Sequence, residues 1–89
     1  MNRFADPQLE EIHDFRYTTG LGASLCAHAH RVVRLLAAAR AWSTLGIFTD
    51  PQPLKAGRFA VPVPQHRRWF VTFEWSADFG AVEMQLERI

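Results

Sequence analysis

The sequence predicts an α+β domain, with one or two helices packed on a small antiparallel sheet of three to four strands. Three observations carry this prediction. Apolar residues between Ser24 and Trp42 recur at three- and four-residue spacing, the period of a helix face. Between Phe59 and Leu86 they recur at spacing two in three successive segments, the period of strands. Short turn-like stretches join those segments, which makes an antiparallel meander the natural topology. The chain has 89 residues, 48% of them hydrophobic and 12% aromatic. That is enough for one modest core spanning residues 1–89, and it argues against disorder.

The N-terminal stretch opens on Asp6-Pro7, a helix start in which aspartate caps and proline occupies the first turn. Leu9, Ile12, His13 and Phe15 would then form a short helical face. The same residues also read as a strand from Ile12 to Tyr17, with Ile12, Asp14 and Arg16 alternating with His13, Phe15 and Tyr17. Thr18-Thr19-Gly20-Leu21-Gly22 breaks either element.

Ser24–Trp42 is the main helix. Leu25, Ala29, Val32, Val33, Leu36 and Ala39 share one face, while His30, Arg31, Arg34 and Ala38 fall on another. Ser43–Pro53, with Gly46, Pro51 and Pro53, reads as a connection carrying a turn of helix near Thr44–Phe48. Three strands follow: Phe59, Val61 and Val63 mark the first, Trp69, Val71, Phe73 and Trp75 the second, and Val82, Met84 and Leu86 the third. Their turns fall at Pro64–Arg67 and Ser76–Gly80. Pro62 and Pro64 donate no ladder hydrogen bonds, so the first strand should be edge-like or bulged there.

The formal net charge is +1, but its distribution is uneven. From Arg16 to Arg68 there are eight basic residues and one acid, Asp50, so a basic face forms wherever these segments meet. A single cysteine, Cys26, excludes an internal disulfide and suits a reducing compartment. It reads as a small buried hydrophobe. The start MNRFADPQLEE has no apolar signal core, and Leu35–Ala39 is too short an apolar run to span a bilayer. A cytoplasmic protein without a membrane partner is expected.

Most chemical motifs fail on spacing. His28-Ala29-His30 resembles a metal pair, but residues two apart on a helix point about 200° from each other, and no further ligand motif completes a site. Neither a metal nor a cofactor is therefore expected. Gly20-Leu21-Gly22 is too short for a phosphate loop, and nothing around Ser24, Ser43 or Ser76 resembles a nucleophile elbow. Lys55, the only lysine, stands apart with Arg58, His66, Arg67 and Arg68. A metal-free ribonuclease needs a base, a cation and an acid around one phosphate, and these residue types can divide those roles. The same five also read as solvated turn residues. Arg31 and Arg34 offer either an ordinary wet helix face or a plain nucleic-acid-binding surface.

The segments Pro53-Leu54-Lys55-Ala56-Gly57, Arg58-Phe59-Ala60-Val61-Pro62-Val63 and Arg68-Trp69-Phe70-Val71-Thr72-Phe73 resemble the RelE superfamily of bacterial toxins, most closely its HigB branch. A further strand like Ala81–Glu87 completes that family's sheet, and Ile12-His13-Asp14-Phe15 is similar to its opening strand. The resemblance implies a RelE-like fold and the toxin of a type II toxin–antitoxin pair. Such a toxin is a metal-independent endoribonuclease that cleaves messenger RNA on the ribosome and is neutralised by a cognate antitoxin. It also implies that Lys55 is the functional lysine, with Arg58, Arg67 or Arg68 stabilising phosphate and His66 carrying a proton. Where the family often has an arginine after the turn tryptophan, this chain has Phe70, and the family's terminal histidine is replaced by the ending Glu87-Arg88-Ile89. These departures keep a second reading in view, a non-catalytic protein-binding member of the same fold: a gyrase-directed ParE-like toxin, a decayed toxin or a phage-encoded inhibitor.

Overall fold

A computed structural model describes residues 2–88. Helix α1 spans Pro7–Phe15, α2 spans Ala23–Ala38 and α3 spans Trp42–Phe48. A four-stranded antiparallel sheet follows in the order β1 (Gln52–Pro53), β2 (Arg58–Val63), β3 (His66–Ser76) and β4 (Gly80–Arg88). The α+β architecture and the meander are as the periodicities predict.

Helix α1 resolves the ambiguity at Ile12–Tyr17. Asp6 caps it by accepting a hydrogen bond from the Gln8 amide at 2.9 Å, and Pro7 sits in the first turn. Only Leu9 and Ile12 are buried on this helix, so the burial period is helical and the strand reading fails. The expected similarity of Ile12–Phe15 to an opening strand is thereby overturned. Strand-like pairing occurs earlier instead, where Phe4 bridges Met84 in parallel and residues 2–5 exchange backbone hydrogen bonds with residues 83 and 84. The second carboxylate oxygen of Asp6 accepts from the Leu86 amide at 3.1 Å, so one side chain both starts α1 and holds it to the sheet.

Helix α2 stops at Ala38, four residues short of the predicted end, although nothing between Ala38 and Trp42 is a helix breaker. The cause is tertiary. The indole of Trp42 lies over the sheet, with ring centroids 4.6 Å from Phe59 and 5.5 Å from Trp75. Continuing α2 would carry that ring elsewhere. The short helix expected near Thr44–Phe48 is present as α3.

The core lies between the helices and one face of the sheet. Leu9 and Ile12 of α1, Cys26, Ala29, Val33 and Leu36 of α2, and Leu45 of α3 meet Val61, Val63, Val71, Phe73 and Met84. Cys26 is buried as a small hydrophobe. The β2–β3 register slips between Pro62 and Val63, and β1 pairs only as far as Ala60, so Pro62 sits on a free, irregular edge. Between β3 and β4 a second irregularity falls near Glu83, which adopts φ 52. Among the described residues, no helix is long and apolar enough to cross a membrane.

Candidate functional site

The five residues proposed from sequence do not assemble around one point. Arg58 opens β2 opposite Glu74. Its guanidinium donates to the Glu74 carboxylate at 3.3 Å, the Thr72 hydroxyl at 2.9 Å and the Glu83 carbonyl at 3.0 Å. The Thr72 hydroxyl in turn donates to the Glu87 carboxylate. Arg58 is thus a structural tie across three strands, its charge already matched. Lys55 is exposed in the single 3₁₀ turn Lys55–Gly57 just before it.

His66, Arg67 and Arg68 begin β3 at the other end of the same hairpin. Eight strand positions separate His66 from Glu74, the partner of Arg58, or about 26 Å at roughly 3.3 Å per residue. The expected convergence of Lys55 and Arg58 with the His66–Arg68 cluster is therefore overturned, because an extended hairpin keeps its two ends apart. Arg67 and Arg68 are exposed. His66 instead meets α2: its Nε2 lies 3.2 Å from the Ser24 hydroxyl, and its ring centroid is 5.2 Å from that of His28.

The cations gather elsewhere. A cleft of about 770 Å³ is lined by His13, Asp14 and Arg16 from α1 and its C-cap and by His30, Arg31, Arg34, Leu35 and Ala38 from α2. The chain makes this cleft by a specific turn. Arg16 ends α1 in the left-handed conformation, φ 67, with its amide donating to the Ile12 carbonyl at 2.8 Å. That cap swings the chain from α1 toward α2. The 3.6-residue period then places Arg31 and Arg34 one turn apart along the same wall.

Asp14 is the one acid in the lining, and its carboxylate lies 2.9 Å from Nδ1 of His13. Among the described residues the ion pairs are His13–Asp14 and Arg58–Glu74. Arg16, Arg31 and Arg34 take part in neither, so three guanidinium groups line one hollow without carboxylate partners. His30 registers their field. Its pKa is lowered first by desolvation and then by the charges of Arg16, Arg34 and His13, so its imidazole is held neutral in a cationic surrounding. Planar guanidinium groups in this arrangement suit phosphate oxygens, which they bind through paired N–H donors.

Of this lining, the sequence placed His30, Arg31, Arg34 and Ala38 together on one helix face and read only Arg31 and Arg34 as a binding surface. The missing half, His13 and Arg16, lay in the stretch that read equally as helix and strand. As a helix end, its i, i+3 spacing would have put both residues on one side. His28 and His30 do diverge as expected: His30 enters the cleft, while His28 joins Ser24 and His66. Among the described residues, no group of three or more metal-ligating side chains forms. No family model matches the chain, and no curated protein matches it either.

Proposed function

We propose that this protein binds the phosphate backbone of single-stranded RNA in the cleft between α1 and α2. The observation that supports this best is the set of three carboxylate-free guanidinium groups, Arg16, Arg31 and Arg34, around one hollow. Backbone phosphates supply affinity to such a surface independently of sequence. The exposed rings of Phe15 and Tyr17 flank Arg16 in the chain, and exposed aromatics beside a basic groove serve single strands as stacking platforms. A duplex offers no unstacked bases to such rings, which favours a single strand.

The geometry supports a single-stranded nucleic acid, and the choice of RNA over DNA rests on the RelE/HigB resemblance. Cleavage of that RNA requires base, cation and acid within reach of one phosphate, whereas Lys55 and Arg58 stand a hairpin's length from His66, Arg67 and Arg68. The protein on this reading holds RNA without cutting it through those five residues, in line with the plain nucleic-acid-binding surface read from Arg31 and Arg34 rather than with a protein-binding member of the toxin fold.

The test is fluorescence anisotropy with a labelled oligouridylate. The double variant Arg31→Ala/Arg34→Ala should weaken binding about tenfold or more and reduce the salt slope by about 1.4, two phosphates at roughly 0.7 each. Lys55→Ala should bind as the parent does. Parental affinity in the double variant would remove the proposal, and transcripts cut on expression but left intact by Lys55→Ala would restore the endonuclease.

A further inference from the structure

Helix α2 does not end its polar contacts at the cleft. Over Ala23–Ala38 the helix is continuous, so residue azimuths follow from about 100° per residue. Ser24, His28, Arg31 and Leu35 then fall within about 60° of one another, and Arg34 lies about 60° further round, toward the cleft. Arg31 therefore stands at the join between the cleft and a stripe leading toward the start of the helix. The distance from Arg34 to Ser24 along the axis is about 15 Å, the reach of a few nucleotides.

At the far end of that stripe is the cluster that the hairpin delivers. The Ser24 hydroxyl lies 3.2 Å from His66 Nε2 and 3.5 Å from His28 Nδ1. His28 Nδ1 is also 2.8 Å from the Ser24 carbonyl. A carbonyl only accepts, so this contact places a proton on His28 Nδ1, and a phosphate oxygen at Nε2 requires a proton there as well. Arg67 and Arg68 follow His66 along β3 and are exposed.

Two chemistries compete for this cluster with anion binding, and both fall short. Among the described residues, no third His, Cys, Asp or Glu joins the two imidazoles to make a metal site. A serine nucleophile needs its histidine oriented by a further group, and among the described residues the hydrogen bond to Ser24 is the one that the His66 side chain makes. An anion requires neither. Hydroxyl and imidazole groups beside arginines provide the donors that phosphate oxygens take.

We infer that an RNA strand lying in the cleft runs on over Arg31 along α2 and places a further phosphate against Ser24, His28 and His66. This rests on the cleft being the RNA site, and it adds a direction and a length to that site. The strand would lie along the helix, with the hairpin turn of β2 and β3 as its end stop.

A trinucleotide that fills the cleft and a decanucleotide that can cover the whole stripe separate the two claims. Ser24→Asp puts a carboxylate on the cluster in the first turn of α2, where negative charge stabilises a helix, so the variant should fold and melt no lower than the parent. Its affinity for the trinucleotide should stay at the parental value. Its affinity for the decanucleotide should fall about fivefold or more, since the added carboxylate faces the phosphate the cluster would hold. His28→Gln/His66→Gln should show the same length-selective loss. Parental decanucleotide binding in both variants would overturn the extended track while leaving the cleft intact. Parental trinucleotide binding by Arg31→Ala/Arg34→Ala would overturn the cleft and the track together.

Discussion

Two residues carry measurable consequences of where the chain puts them. His30 has a folded-state pKa below its ordinary value of about 6.5. The unfolded chain therefore takes up a proton first as pH falls, and binds more protons than the native state across the window from about 6.5 down to the folded pKa. Stability has no contribution from this group above that window and declines as pH drops through it. Urea midpoints should show that decline, and His30→Gln should flatten it. A flat profile in the parent would contradict the assignment. Gly80 answers to space and conformation rather than charge. It adopts φ 78, and a Cβ there would come 2.9 Å from the Ala39 carbonyl oxygen. Gly80→Ala combines a left-handed backbone with a clash against main chain that is not free to swing away. It should cost about 1–3 kcal/mol in chemical denaturation, more than an alanine at Gly46, where nothing lies within 4 Å.

At the scale of elements, legibility followed the range of the forces involved. Strand periods are local, so β2, β3 and β4 could be located from Phe59, Val71 and Met84 alone, and so could the irregular edge at Pro62. The end of α2 was not readable, because its cause is an aromatic cluster of Trp42 with Phe59 and Trp75. Those partners are 17 and 33 residues away in the chain. Trp42→Ala should lower stability by about 2 kcal/mol, less than full burial would imply since the ring is 40% exposed. Circular dichroism of urea unfolding would measure it, and a loss below about 0.5 kcal/mol would mean that the indole does not set the break. The basic residues were found by type but not by neighbourhood. Lys55 and His66 are close in sequence, yet an extended hairpin separates their ends. Arg16 and Arg34 are 18 residues apart, and a helix, a left-handed cap and a second helix bring them to one cleft.

For the molecule as a whole, a net charge of +1 conceals a division of labour. The acids Glu74, Glu83 and Glu87 lie on the strands, with Glu74 and Glu87 in the hydrogen-bond network around Arg58 and Thr72. Arg16, Arg31 and Arg34 remain on the helical side without such partners. Association with a polyanion should therefore be orientation-dependent and strongly salt-dependent despite the near-neutral total. The hydrogen bonds of residues 2–5 to β4 have a further implication. They occupy amide and carbonyl groups on the outer rim of a long strand, groups that would otherwise invite another chain to add itself. A chain shortened by its first five residues would present that rim bare, and size-exclusion chromatography should find it in larger assemblies than the full chain forms at the same concentration. The opening residues, on this view, act as a stopper against polymer growth, and trimming them by a protease would turn a discrete particle into a building block.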